Sequence, residues 1–166
     1  MVYIKYMNHK KGFTLIELLI VMIILGVLAA IGVNGFLASQ KKGRDTLRKE
    51  SLKAMSQALE MYYNDKKQYP LGDGAGSMIG CGTGPAVCTA HTVWKDANTI
   101  YMAQFPADPS AAQRYYYVSA DGKQYQIYAY LENNQDIQIM TPSVGSTNCG
   151  SGIACNYGVS STNVQP

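Results

Sequence analysis

The chain reads KKGFTLIE over residues 10–17, and an apolar run continues from there to about Ala38. This run is long enough to cross about 30 Å of hydrocarbon as a single α-helix. Glu17 is the one charged residue between Phe13 and Ala38. Because a charged side chain at membrane depth costs at least about 2.5 kcal/mol, this glutamate needs a partner or a function.

Three kinds of N-terminal segment are compatible with such a run. A cleaved secretory signal has an apolar stretch of only about 7–15 residues, whereas this run continues beyond the small residues near Ala29 that would form the cleavage site. A plain signal anchor fits the length but explains neither Glu17 nor the pair Gly12-Phe13. A short basic leader that ends in glycine, followed by a helix with a glutamate at its fifth position, explains all of these features.

This arrangement resembles the N-terminus of type IV prepilins and of the related pseudopilins of type II secretion. The resemblance implies that a prepilin peptidase cleaves between Gly12 and Phe13 and that Phe13 is then N-methylated. It also identifies Lys10 and Lys11 as basic residues of the leader. Glu17 becomes the assembly residue, whose carboxylate meets the N-terminal amine of a neighbouring subunit.

Elementary electrostatics supports that role for Glu17. Cleavage after Gly12 would leave a free ammonium group on Phe13 within an apolar helix. Glu17 lies four residues further on and therefore on the same helix face. Pairing of the two groups, within one chain or between neighbours, would neutralise charges that are each costly alone in a medium of low dielectric constant.

Charge and composition argue against nucleic-acid binding and against catalysis. The 166-residue chain has a net charge of +3, which equals the three lysines of residues 1–12, so the remainder is neutral. A neutral chain offers no electrostatic argument for a nucleic-acid partner, and none is expected. The chain has two histidines, and no serine or cysteine is paired with a convincing base, so the sequence predicts a protein that is not an enzyme.

Beyond the apolar run, residues 39–64 form an amphipathic continuation of the helix. Its apolar stripe consists of Leu47, Leu52, Met55, Leu59 and Tyr62. The charged residues between positions 41 and 50 are expected to form a solvated helix face, with contacts between subunits as the alternative. Within this stretch Asp45 and Lys49 have the spacing of an i,i+4 ion pair.

An Asp121-Gly122 pair lies between two segments of alternating side chains, residues 115–118 and 124–131. This pattern predicts a β-hairpin with a type I′ turn. In that register the layer that faces the helix consists of Tyr116, Val118, Tyr125, Ile127, Ala129 and Leu131. A third strand is expected at residues 137–140.

These elements predict an α+β protein, in which a long N-terminal helix, transmembrane in its first half, packs on a small antiparallel sheet. The resemblance implies that this arrangement is the pilin fold. Tyr69-Pro70 favours the end of the helix before the sheet begins. The predicted divisions are a leader peptide (1–12), a transmembrane or filament-core helix (13–38), its amphipathic continuation (39–64), and an exported globular head (65–166) with a glycine-rich loop, the hairpin and a cysteine-bearing tail.

Four cysteines in an exported domain predict two disulfides, for which three connectivities exist. The short separations favour Cys81–Cys88 and Cys149–Cys155. Zinc binding is the alternative, with His91 near Cys88, but the chain has no Cys-x-x-Cys spacing.

Two further segments, MYYNDKKQYP at residues 61–70 and FPADP at residues 105–109, resemble the major pseudopilin of type II secretion. This resemblance implies a calcium site in a late loop, where Glu132, Asp136 and nearby carbonyls offer oxygen ligands. The spacing of the acidic residues is poor for calcium, so no cofactor is predicted.

The predicted function is that of a structural subunit of a type IV pilus or a type II secretion pseudopilus, with a role in adhesion or in protein secretion. The chain would enter the cytoplasmic membrane as a single-pass protein and then an extracellular or periplasmic filament. The expected partners are identical or homologous pilin subunits, the prepilin peptidase/methylase, the membrane and an inner-membrane assembly platform. The alternative is a single-pass, signal-anchored membrane protein whose exported head binds a ligand or DNA without polymerising.

Overall fold

A computed structural model describes residues 12–81, 86–140, 147–162 and 166. Contacts divide the chain into two compact units, Met1–Ser39 and Gln40–Pro166, which we name the N-terminal unit and the C-terminal unit. The elements in the described part are α1 (Leu15–Lys66), β1 (Trp94–Lys95), β2 (Ile100–Met102), β3 (Tyr116–Val118), β4 (Gln126–Ala129) and β5 (Tyr157–Ser160).

The long helix α1 begins directly after Thr14. It ends where Lys67 takes a left-handed conformation with φ of 60°, shortly before Pro70, whose ring disfavours helical angles at the preceding residue. In the N-terminal unit the apolar side chains of α1 that the structure describes, those outside residues 31–34, are exposed. By length and composition alone, this helix is able to cross a membrane.

In the C-terminal unit, one face of α1 packs into the core. Its buried residues recur every three or four positions at Asp45, Arg48, Leu52, Met55 and Leu59. The prediction that Leu47 belongs to this face is wrong, since its side chain is 52% exposed. The predicted solvated face is also wrong for Asp45 and Arg48, because the two side chains pair with each other and are bound by polar groups of other segments, which allows them to be buried.

Strands β3, β4 and β5 form a three-stranded antiparallel sheet in that order, and β1 pairs with β2 in a separate two-stranded sheet. A long helix against small antiparallel sheets confirms the predicted α+β class. The third strand is β5, however, and the prediction of a strand at residues 137–140 is wrong. Residues 137 and 138 form a turn, in which Asp136 Oδ1 accepts a hydrogen bond from the Gln138 amide at 3.0 Å, a side-chain contact that favours turns over strands.

The predicted hairpin exists as β3 and β4, but its register differs by one residue. Tyr117 lies opposite Ile127, and Tyr117 is part of the core cluster that contains Leu52 and Met55 of α1. Tyr116 belongs to a second cluster, and Val118 is exposed. A shift of one residue exchanges the two faces of a strand, so the predicted layer is wrong in β3, although it holds for Tyr125, Ile127, Ala129 and Leu131, which are buried.

The turn explains this difference in register. Gly122 has a φ of 70°, but Asp121 does not adopt the positive φ that a type I′ turn also requires there. Instead the Gly122 carbonyl accepts a hydrogen bond from the Tyr69 amide at 2.7 Å. The connection is therefore a longer loop whose tip is bound to the segment that follows α1.

Both short-range disulfides are present, Cys81–Cys88 and Cys149–Cys155, with Cα–Cα distances of 4.9 and 5.2 Å. Because each sulfur is bonded to another sulfur, these cysteines are not zinc ligands. Cys149 and Cys155 are completely buried and pack with Tyr128 on the face of the three-stranded sheet that carries Tyr116.

Candidate assembly site and ion-pair cluster

Thr14 and Glu17 form a capping box at the start of α1. The Thr14 amide and hydroxyl both donate to Glu17 Oε2, at 2.8 and 2.7 Å, and the Glu17 amide donates to Thr14 Oγ1 at 3.3 Å. In a capping box these reciprocal bonds satisfy backbone donors that have no partner within the helix. This capping role of Glu17 is additional to its predicted pairing with the Phe13 amine, and the T-x-x-E pattern of residues 14–17 indicates it.

The surroundings of Glu17 are apolar and open. Phe13, Leu15 and Ile16 are 86%, 90% and 66% exposed, and further exposed apolar side chains follow along α1. An apolar surface of this extent requires cover from lipid or from other helices. Gly12 is also exposed and lies outside the helix, so the backbone at the predicted cleavage position is accessible. Lys10 and Lys11 lie outside the described residues.

A second group of charged residues surrounds Arg48, whose side chain is fully buried. Its Nε and Nη2 donate to the two oxygens of Asp108 at 2.8 and 2.9 Å. Its Nη1 donates to Asp45 Oδ1 at 2.8 Å and lies 2.9 Å from Glu132 Oε1, and Nη2 also donates to Gln113 Oε1 at 2.6 Å. The planar fork of arginine suits this simultaneous binding of several carboxylates.

Asp45 and Arg44 bind the loop that follows β4, residues 131–136, which we name the late loop. The Asp45 carboxylate accepts hydrogen bonds from the backbone amides of Glu132 and Asn133 at 2.9 and 2.8 Å. Arg44 Nε donates to Glu132 Oε1 at 2.8 Å, and its Nη2 contacts the other oxygen of that carboxylate. Backbone and side chain of the late loop are thus both fixed to α1.

The far end of the late loop has its own ion pair. Lys49 Nζ lies 2.6 Å from Asp136 Oδ2, and its ammonium also lies 5.6 Å from the centre of the Tyr157 ring on β5. The i,i+4 pair predicted between Asp45 and Lys49 is therefore replaced by contacts with other segments. We name the seven charged side chains the Arg48 cluster: Arg44, Asp45, Arg48, Lys49, Asp108, Glu132 and Asp136.

These contacts favour the ionised forms of Glu132 and Asp136 at neutral pH. Hydrogen bonds from Arg44 lower the pKa of Glu132 to about 2, and the hydrogen bond from Lys49 lowers the pKa of Asp136. Burial by itself lowers the pKa of Arg48, but the hydrogen bonds that it donates to Asp108 and Glu132 outweigh burial, and the net shift is upward. Each carboxylate of the late loop therefore has a permanent cationic partner.

The same contacts do not fit a calcium site at Glu132 and Asp136. Calcium takes six to eight oxygen ligands, but both Glu132 oxygens are bound by arginine side chains and Asp136 is bound by Lys49. Three positively charged side chains, those of Arg44, Arg48 and Lys49, therefore lie beside the carboxylate oxygens that a calcium ion would need. Within residues 12–81, 86–140 and 147–162, no group of three or more His, Cys, Asp or Glu side chains is arranged to hold a metal ion.

Comparison with known proteins adds evidence from sequence. Residues 7–33 match the family model for the prokaryotic N-terminal methylation motif. The type IV wide pilus major component PilA4 of Thermus thermophilus is 38% identical over 96 residues, which cover 58% of this chain and 73% of that protein. No solved structure matches the chain significantly.

Two type II secretion system core proteins G are also similar. That of Dickeya chrysanthemi is 26% identical over 152 residues, which cover 91% of this chain and 95% of that protein. That of Escherichia coli is 31% identical over 103 residues, which cover 61% and 68% of the two chains. The chain therefore belongs to the family of type IV pilins and type II secretion pseudopilins, whose members are structural subunits and not enzymes.

Proposed function

We propose that a prepilin peptidase cleaves this chain between Gly12 and Phe13, that Phe13 is then N-methylated, and that the product polymerises through α1. One observation supports this proposal above the others. An apolar stretch, residues 13–38, begins directly after Gly12; its described side chains are exposed and it contains a single carboxylate, that of Glu17. Such a surface is stable in a bilayer or among copies of itself, and the carboxylate favours a neighbour that brings a positive charge.

Cleavage changes which groups are available to Glu17. Before cleavage its carboxylate is hydrogen-bonded by Thr14 but has no positive partner among the residues that the structure describes. After cleavage every subunit has an ammonium group on Phe13. When helices bundle, pairing this group with Glu17 of a neighbour stabilises both charges, whereas an unpaired charge would remain in a medium of low dielectric constant. Cleavage thus creates the positive charge on Phe13 that pairs with Glu17 during assembly.

The chain is a membrane-anchored subunit before assembly. Its proposed partners are identical or homologous subunits, the peptidase/methylase and an assembly platform in the inner membrane. The proposed filament is either an extracellular pilus or a periplasmic pseudopilus: the Thermus relative is named as a pilus component, and the two core proteins G are named as parts of a type II secretion system. The non-polymerising membrane protein is not favoured, because these relatives are filament proteins.

The test is intact mass and N-terminal peptide mapping of the protein from its native host, in membrane and sheared-surface fractions. The proposal predicts chains that begin at N-methylated Phe13. Their presence in the sheared fraction identifies a pilus, and their restriction to the membrane fraction identifies a pseudopilus. Gly12→Leu should retain residues 1–12, whereas Gly35→Ala, at a position with open space around the added methyl group, should be processed normally. Chains that retain residues 1–12 in every fraction of the wild type would contradict the proposal.

A further inference from the structure

The late loop is bound to α1 by charge at each of its ends. At its start, Asp45 accepts the backbone amides of Glu132 and Asn133, and Arg44 binds the Glu132 carboxylate. At its far end, Lys49 binds Asp136. All three helix residues lie within a single turn and a half of α1, so the loop follows the helix surface.

Arg48 connects this loop to a further segment of the C-terminal unit. Its guanidinium contacts Glu132 of the late loop and Asp108 of the segment before β3. Guanidinium nitrogens without partners would make burial of this charge very unfavourable, but Nε, Nη1 and Nη2 each have an oxygen partner. Arg48 thus has the position that an internal cation would have, between carboxylates from three parts of the chain.

We propose that the Arg48 cluster fixes the late loop in place of a metal ion, so that the C-terminal unit keeps its fold without calcium. The basis of this inference is that the carboxylates of the late loop are not available to bind calcium. A calcium ion needs carboxylate oxygens that are free to coordinate it, and here the oxygens of Glu132 and Asp136 are bound by Arg44, Arg48 and Lys49. The proposal concerns folding of the subunit and is independent of how the chain polymerises.

The experiment uses the full chain in detergent micelles. Trp94 is the single tryptophan and is 1% exposed, so its fluorescence reports unfolding of the C-terminal unit. Digestion with a protease that cuts after Glu and Asp, followed by mass spectrometry, measures opening of the late loop at Glu132 and Asp136. Both readouts are recorded in excess EGTA and in millimolar calcium.

The informative variants are Arg44→Met and Lys49→Met, since these side chains are 29% and 26% exposed and their replacement leaves the core in place. Lys53→Met is the matched control, because Lys53 is an exposed lysine of the same helix outside the cluster. We expect cleavage in the late loop to be about fivefold faster in Arg44→Met and Lys49→Met than in Lys53→Met, the change expected for loss of one partly exposed ion pair.

For the wild type we expect the same Trp94 unfolding midpoint and the same cleavage rate in EGTA and in calcium. A saturable rise of the midpoint with calcium, or slower cleavage after Asp136 when calcium is added, would overturn the proposal. Equal cleavage rates in Arg44→Met, Lys49→Met and Lys53→Met would also overturn it, because the ion pairs would then not hold the loop.

Discussion

Arg48 and Asp108, separated by 60 positions, form a two-pronged ion pair in which both side chains are completely buried. Nε lies 2.8 Å from Oδ2 and Nη2 lies 2.9 Å from Oδ1. Asp108 Oδ1 also accepts the Ser110 amide at 2.8 Å, which orients the carboxylate. The pair joins α1 to the segment before β3.

Loss of Arg48 should therefore be severely destabilising. Arg48→Met leaves Asp108 buried without a cationic partner, and breaking one side of a buried ion pair costs about 3–5 kcal/mol. Chemical unfolding of the full chain in micelles, followed by Trp94 fluorescence, measures this loss in the free energy of unfolding. Lys53→Met should change it by less than about 0.5 kcal/mol, as most surface substitutions do. Equal stability of these two variants would show that the pair is not a structural contact.

The double variant Arg48→Met/Asp108→Leu separates two contributions to the free energy of unfolding: the cost of a buried charge without a partner and the stabilisation that the ion pair itself provides. Replacement of both partners by apolar side chains removes the unpaired carboxylate, and such replacements are often neutral or stabilising. We expect the double variant to be more stable than Arg48→Met. A double variant that is less stable by the sum of both single effects would mean that the two residues act independently.

Acid should weaken the Arg48 cluster in a defined pH range. Hydrogen bonds from Arg44 lower the pKa of Glu132 from its ordinary value of about 4.5 to about 2 in the folded chain. A carboxyl group with a lowered folded-state pKa stabilises the fold above its unfolded pKa and loses this contribution as the pH falls toward the folded value. The free energy of unfolding should therefore decrease between about pH 4.5 and pH 2.

Glu132→Gln isolates this contribution, since the amide cannot ionise. The free energy of unfolding of Glu132→Gln should be lower than that of the wild type at pH 7. It should also change less than that of the wild type between about pH 5 and pH 2. The measurement is urea unfolding at a series of pH values. Parallel pH profiles for the wild type and the variant would exclude Glu132 as the titrating group.

The two disulfides should contribute differently to the stability of the fold. Cys149 and Cys155 are completely buried against Tyr128, whereas Cys81 is only partly buried. The paired Cys149→Ala and Cys155→Ala substitutions remove a cross-link, typically worth about 2–4 kcal/mol, together with buried packing. We expect them to lower the unfolding midpoint more than the corresponding pair at Cys81 and Cys88, as measured by Trp94 fluorescence. The reverse order would contradict the packing that the structure shows.

Helical periodicity in the sequence predicted the long helix and most of its buried face. It included Leu47, which is exposed, and left out Arg48 and Asp45, because charged residues are usually solvated. The same three- and four-residue spacing continues through both of them, so periodicity alone, without regard to polarity, would have indicated their burial. Their partners Asp108 and Glu132 come from distant segments, which no local pattern predicts.

The strands were less predictable for a different reason. The Asp121-Gly122 signal located the hairpin, but the hydrogen bond between the Tyr69 amide and the Gly122 carbonyl shapes its turn. That contact is tertiary, and it shifts the register by one residue, which places Tyr117 in the core. Likewise Ile137 alternates with polar neighbours as in a strand, yet the Asp136 side chain binds the Gln138 amide and forms a turn.

Substitutions of Glu17 and Thr14 distinguish most clearly between a membrane anchor and a filament subunit. Thr14→Val removes the hydroxyl of the capping box but leaves the Glu17 charge, so the variant should still assemble. Glu17→Gln keeps the size and a hydrogen-bonding side chain but removes the charge. It should be inserted and processed normally and should assemble poorly, because the Phe13 ammonium of a neighbour then has no counter-charge.

The most direct test of the account is the yield of sheared or overexpressed filaments from Glu17→Gln, compared with wild type at equal levels of processed subunit in the membrane. Pairing of Glu17 with the N-terminal amine predicts a yield lower by about tenfold or more, since loss of one buried charge partner exceeds the 1.4 kcal/mol that corresponds to a factor of ten. A yield equal to that of the wild type would contradict assembly through this charge.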